Sequence, residues 1–199
     1  MKKILSILLV SLTLSIAHLV SASASTAAFD PDNVEYCIFL NDRKRAYRFG
    51  HCALALVDAN GNGRYYSYHN GDGEIPFGRG KLEQETLSPA QVTRLLKEGL
   101  VPNDTRGYYY VRQIQFDVTP EEGRAMYDYA ESTEFKYYNI FAAGSPFTNY
   151  QCDTVIQQTL GAGNKRYQYG SLGIPIQSYY AIQWKLWFND VEYEKVFPE

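Results

Sequence analysis

Two residues of the types that make a nucleophile and its base fall at informative places in this chain. Cys152 stands at the start of a helix-like run, Thr-Asn-Tyr-Gln-Cys-Asp-Thr-Val-Ile-Gln-Gln-Thr-Leu from Thr148 to Leu160, and His51 opens a strand-like run that reaches Val57. A cysteine in the first turn of a helix sits among backbone N–H groups that have no partner within the helix, and the positive end of the helix dipole favours its thiolate. An imidazole within reach takes the thiol proton and holds the thiolate as an ion pair. The pair predicts covalent chemistry at one sulfur. His51 alternates with Ala53 and Ala55, so one face of the strand carries an imidazole beside two small residues, a floor on which a helix N-terminus is expected to lie. Cys52, Leu54 and Leu56 face the other way.

The elements that must position this pair follow from pattern and punctuation. Val34 to Leu40 reads as a strand and Asn41 to Arg48 as a polar loop returning the chain into His51–Asp58. Asn60-Gly61-Asn62-Gly63 is a turn signal, and Arg64 to His69 reads as a third strand, which completes an antiparallel meander. Gly71 to Gly80 reads as a glycine-punctuated loop. Ser88-Pro89-Ala90-Gln91 carries a capping-box pattern that opens a helix to about Lys97. Tyr108 to Val118 alternates as a long strand. A second capping box, Thr119-Pro120-Glu121-Glu122, starts a helix to about Ser132 with Ala125, Met126, Tyr129 and Ala130 as its apolar stripe. Between Tyr137 and Thr148, Gly144 and Pro146 break any regular element. The cysteine helix stops at Gly161-Ala162-Gly163. Ile174-Pro175-Ile176 and the aromatic tail from Tyr179 to Phe197 are expected to pack back on the domain without an assigned element. The order of elements reads as one α+β domain, an antiparallel sheet packed against helices, over residues 25–199.

Composition narrows the setting. Lys2 and Lys3, the apolar run Ile4 to Val20 and the small residues Ala22-Ser23-Ala24 read as a secretory signal with cleavage after Ala24. A membrane anchor is the rival reading, but Ser6, Ser11, Thr13, Ser15 and His18 interrupt the run and no basic stop-transfer cluster follows. Loss of the leader takes the formal net charge from −3 to −5 and leaves His51 and His69 as the only histidines. An acidic chain lacks the basic face that a nucleic-acid binder needs; the one dense basic run, Arg43-Lys44-Arg45 with Arg48, reads as a solvated loop. The chain has three cysteines, an odd number for an oxidising compartment. Cys37 and Cys52 lie in neighbouring strand-like runs and could bridge, leaving Cys152 free; a structural disulfide from Cys152 to either one is the alternative. The eighteen tyrosines cover sheet faces and packing seams on one reading and line a groove for a sugar or peptide on the other. No His, Cys and carboxylate cluster has metal-ligand spacing, and Asp72-Gly73-Glu74 is too thin for calcium, so neither metal nor cofactor is expected.

On these residues the chain resembles the circularly permuted papain-like hydrolases related to the NlpC-type peptidases, and particularly their YaeF/YiiX-like amidase branch. Gly50-His51-Cys52-Ala53-Leu54-Ala55-Leu56 looks like the histidine strand of that group and Tyr65 to Asn70 like its second strand. Tyr138-Asn139-Ile140-Phe141 leading to Asn149-Tyr150-Gln151-Cys152 looks like the approach to the nucleophile, and the strand at Glu35 to Leu40 also fits. The resemblance implies a permuted papain-like fold in which the histidine strand comes first and the catalytic cysteine begins a helix much later. It implies a third, orienting residue on the second strand, for which His69, Asn70 and Ser67 are the candidates. An odd-length loop at the Asn-Gly repeat puts His69 on the face of His51, and an even one puts Asn70 or Tyr68 there; His69 is the expected choice. The Cys152 N–H, helped by the Asn149 or Gln151 side chain, would stabilise the oxyanion, an effect of ~3 kcal/mol per donor.

The expected activity is that of a secreted or periplasmic cysteine amidase or peptidase acting through an acyl-enzyme, with peptidoglycan stem peptides as substrate. A lipid or thioester acyl hydrolase or acyltransferase on the same fold, acting for example on a lipid amide, is the nearest alternative. A non-catalytic binding or inhibitor module with a tyrosine-rich face is the other; a Cys152 disulfide would point there.

Overall fold

The computed structural model describes residues 28–44, 50–72, 77–101, 107–134, 137–139, 150–170 and 175–198. Seven strands form a single sheet: β1 (Val34–Asp42), β2 (His51–Asp58), β3 (Gly63–Asn70), β4 (Phe77–Leu87), β5 (Arg112–Asp117), β6 (Tyr137–Asn139) and β7 (Glu194–Val196). Their order is β6-β4-β3-β2-β1-β5-β7, and every neighbouring pair is antiparallel. Four helices accompany them: α1 (Pro89–Glu98), α2 (Pro120–Ser132), α3 (Cys152–Gly163) and α4 (Pro175–Phe188). The chain is α+β, as the order of elements predicts.

The meander β1-β2-β3 forms as expected. Its second turn is closed by Asp58, whose Oδ1 accepts from the backbone N–H of Asn60 at 2.9 Å and of Asn62 at 2.8 Å, with Gly61 at φ +79°. Both capping boxes are in place, at Ser88 with Gln91 and at Thr119 with Glu122. β4 departs from the expected loop. Its polar run Phe77-Gly-Arg-Gly-Lys-Leu-Glu-Gln-Glu-Thr-Leu lacks an apolar alternation because most of its side chains are exposed or half-buried, and pairing, to β3 over Gly80–Leu87 and to β6 over Phe77–Arg79, holds it in place of burial. β5 is shorter than the alternation of Tyr108 to Val118 suggests. α4 carries apolar side chains on two faces, which hides a helical period: Tyr179, Ile182 and Leu186 are buried while Tyr180, Trp184, Trp187 and Phe188 are exposed.

Strand alternation divides the core in two. Cys37, Phe39, Cys52, Leu54, Leu56, Tyr66, Ile114 and Phe116 face α2, α3 and α4. Ile38, Leu40, Ala53, Ala55, Val57 and Tyr65 face Val92 and Leu95 of α1, together with Tyr108 and Tyr110. α2 approaches β1 closely at Gly123, where a side-chain methyl would overlap Val34. α4 is clamped by Arg112 of β5, whose guanidinium lies 5.2 Å from the Tyr179 ring and 5.1 Å from that of Tyr180.

Candidate active site

β2 and β3 part at one end of the sheet. Their ladder runs from Val57↔Gly63 to Ala53↔Ser67, whereas β3 stays paired to β4 as far as Asn70↔Gly80 and β2 to β1 as far as His51↔Asp42. Cys152, the first residue of α3 and 1 % exposed, packs on the Cys52 side of β2, where the Cys52 backbone N–H acts to lower its thiol. The approach to α3 is fixed by β6: Asn139 N–H donates to Tyr150 O at 2.9 Å and Tyr150 N–H to Tyr137 O at 3.0 Å.

α3 lies on the face of Cys52, Leu54 and Leu56, which corrects the expectation that it would lie on the face of His51, Ala53 and Ala55. The leucines, with Phe39 and Tyr66, offer the larger apolar surface to the stripe Cys152, Ile156 and Leu160. The alanine face accommodates Val92 and Leu95 of α1 instead. Thiol and imidazole thus belong to opposite faces of β2, near the point where β2 and β3 part.

The His51 ring is buried and doubly held. Its Nε2 is 2.8 Å from Ser67 Oγ, and its face stacks on Tyr108 with centroids 3.9 Å apart and planes within 5°. Of the three candidates for an orienting residue, Ser67 is the one in hydrogen-bond contact with His51. His69 shares that face of β3, as the odd-length loop requires, but its Nδ1 donates to Asn70 O at 3.0 Å and its Nε2 is 3.5 Å from Glu83 Oε2. A carbonyl only accepts, so Nδ1 carries a proton. Asn70 falls on the opposite face and closes a turn, with its Nδ2 donating to Phe77 O at 3.0 Å and its Oδ1 accepting from Asp72 N–H at 2.8 Å. Gln151 is the wholly buried N-cap of α3, and its side chain does not cap the helix. Asn149 lies outside the described residues.

Burial pushes the Cys152 thiol up to about 12; the Cys52 N–H opposes this, the Asp153 carboxylate adds to it, and the N–H groups of Asp153 and Cys152 itself pull back. Desolvation outweighs the helix start, so the resting group is a neutral thiol in place of the expected thiolate. Burial likewise holds the Cys52 thiol well above its ordinary value, reinforced by the Asp153 charge. Asp153 is wholly buried in the first turn of α3 and accepts from Tyr169 Oη at 2.7 Å. Asn41 ties the neighbourhood to α4: its Nδ2 donates to Pro175 O at 3.0 Å and lies 3.4 Å from His51 O, while Cys52 Sγ donates to Pro175 O at 3.5 Å.

All three cysteines are unbridged. The register forbids a link between Cys37 and Cys52: Cys37 pairs with Leu56 and Cys52 with Asn41. Four residues of offset separate them by about 13 Å, beyond the Cα distance of about 7 Å that a disulfide tolerates. Among the described residues no group of three or more His, Cys, Asp or Glu is arranged to hold a metal ion. Tyr108 and Asp153 are the site residues that the sequence reading missed. Tyr108 is concealed within Tyr108-Tyr109-Tyr110, and an acid after the cysteine looks like an ordinary partner of the helix dipole.

Comparison with protein-family models, with characterised proteins and with solved structures found no match to this chain.

Proposed function

We propose that this protein is a cysteine hydrolase that cleaves amide bonds through an acyl-enzyme, with peptidoglycan stem peptides as its substrate class and a permuted papain-like arrangement as its fold. One observation carries the reading: Cys152 begins α3 near the Cys52 N–H, next in sequence to a histidine whose Nε2 is engaged by Ser67. The reading requires the thiol and the imidazole to meet past the end of the β2–β3 ladder, where Nδ1, with Nε2 on the serine, would take the thiol proton. The sulfur then attacks the carbonyl, and the N–H groups of Cys52, Cys152 and Asp153 stabilise the oxygen that gains charge. His51 returns the proton to the leaving amine as the carbon–nitrogen bond breaks. It next deprotonates the water that hydrolyses the thioester, which regenerates the thiol.

A neutral resting thiol is compatible with this sequence, because the base acts as the substrate binds and no standing ion pair is needed. The basic start at Lys2 and Lys3, the apolar run Ile4 to Val20 and the small residues Ala22-Ser23-Ala24 support a place of action in the periplasm or outside the cell, with leader cleavage after Ala24. No described helix is long and apolar enough to cross a membrane. Incubation of the protein with a peptidoglycan stem peptide, followed by mass spectrometry, tests the proposal. Cleavage with an acyl adduct on Cys152, lost in Cys152→Ala and His51→Ala, is the expected result; cleavage that persists in both variants overturns it.

A second reading keeps the acyl-enzyme and changes the acyl donor to a lipid amide or ester. The exposed rings of Tyr180, Trp184, Trp187 and Phe188 on α4 favour it, since the first residue of that helix accepts a hydrogen bond from Cys52. Faster turnover of a long-chain acyl substrate than of the stem peptide would select it.

A further inference from the structure

We propose that Tyr108 is a positioning residue for His51, fixing the imidazole by its face and favouring the protonated ring that forms when Cys152 gives up its proton. The inference rests on the hydrolase reading of the same site and adds to it a residue that acts through His51.

Three observations combine. The rings are nearly parallel, 5° apart in plane, with centroids at 3.9 Å, so the whole imidazole lies over the electron-rich face of the phenol. Both residues are buried, His51 at 1 % and Tyr108 at 8 % exposure. A ring quadrupole acts most strongly on a cation in such a dry setting. The tyrosine is itself immobilised: Tyr109 N–H donates to Asp42 Oδ2 at 2.9 Å, and Tyr110 shares a hydroxyl hydrogen bond with Tyr65 at 2.5 Å. Asp42 is the residue paired with His51 across β1 and β2, so the strand pair that carries the histidine also carries the anchor of its stacking partner.

The two contacts on His51 restrain different motions. The Ser67 hydrogen bond acts in the plane of the ring and selects which nitrogen faces the serine. Stacking acts normal to the plane and stops the ring from tilting out of it. A serine hydroxyl tolerates rotation about its own axis, so the hydrogen bond alone leaves the tilt unfixed. Stacking also discriminates between charge states: the face of an aromatic ring attracts an imidazolium more than an imidazole. Tyr108 therefore acts on the step in which His51 is charged.

The test separates electrostatics from packing. Wild type, Tyr108→Phe, the chain carrying pentafluorophenylalanine at position 108, and His51→Ala would each be mixed with p-nitrophenyl acetate at pH 7, and the nitrophenol burst would give the rate of Cys152 acylation. Circular dichroism confirms the fold of each, and imidazole nitrogen NMR follows His51. Tyr108→Phe keeps the ring and its face, and its rate is expected within about twofold of wild type. The fluorinated ring has the same outline with its quadrupole reversed, and acylation is expected to fall about fivefold. The His51→Ala rate is expected to fall at least a hundredfold. Equal rates for the phenylalanine and pentafluorophenylalanine proteins, with His51→Ala still slow, overturn the role of Tyr108 and leave the hydrolase intact. A His51→Ala rate equal to wild type overturns the hydrolase reading and this inference with it.

Discussion

A neutral, desolvated thiol sets how Cys152 responds to pH. With burial holding it up to about 12, the thiolate fraction grows about tenfold per pH unit throughout the neutral range. Labelling of the folded protein by iodoacetamide is therefore expected to be slow at pH 6 and to climb steadily to pH 9; a plateau of fast labelling below pH 7 would show a standing ion pair instead. At Ser67 the expected effect is smaller. A neutral hydrogen bond contributes about 1 kcal/mol net, so Ser67→Ala should lower acylation roughly fivefold and alter the nitrogen NMR signature of His51, whereas loss of His51 removes the base altogether. His69 shows how far strand arithmetic reaches. Odd parity puts His69 and Ser67 on the same face as His51; the sequence leaves the parity open, and the register Val57↔Gly63 settles it. Which of them touches the imidazole depends on where the β2–β3 ladder ends, at Ala53↔Ser67, which parity does not encode.

Among the elements, the contact of α2 with β1 is the most sensitive to side-chain volume. Gly123 lies against Val34 with no room for a methyl group, so Gly123→Ala is expected to destabilise the fold by about 1–3 kcal/mol despite its better helix propensity, read as a lower midpoint in urea. The same helix holds a pH-dependent contact. Burial raises the Glu122 carboxyl, but hydrogen bonds from Tyr167 Oη at 2.6 Å, Asn164 Nδ2 at 2.6 Å and the Thr119 N–H at 3.1 Å, with the Arg166 charge, leave it below its ordinary value. A carboxyl lowered in the folded state adds stability above its unfolded value, near 4.5, and that stability is lost as pH falls below it. Glu122→Gln should flatten this part of the stability profile between about pH 5 and 3. Both capping boxes and the meander were legible because each is written in local residue types with a fixed spacing. β4 and α4 were not. One is a polar strand held by its pairing, and the other is apolar on two faces, so neither has the single period from which elements are read. The placement of α3 against the leucine face follows from comparing two surfaces, which no single strand reveals.

For the whole molecule, the thiol count is a direct check on the arrangement of the sheet. Register keeps Cys37 from Cys52, and Cys152 is unbridged, so protein denatured without reductant is expected to show three reactive thiols per chain; a value of one would mean that a disulfide forms against this register. The exposed face of α4 has a further consequence, for spectroscopy. Both tryptophans of the chain are on that helix, Trp184 at 67 % and Trp187 at 65 % exposure. Intrinsic fluorescence therefore reports on one strip of the surface. The emission of the native protein should already be red-shifted, acrylamide should quench it readily, and core unfolding should change it less than it changes the tyrosine near-ultraviolet dichroism. Whatever settles on that helix, from detergent to lipid vesicle, should announce itself as a blue shift before any other probe responds.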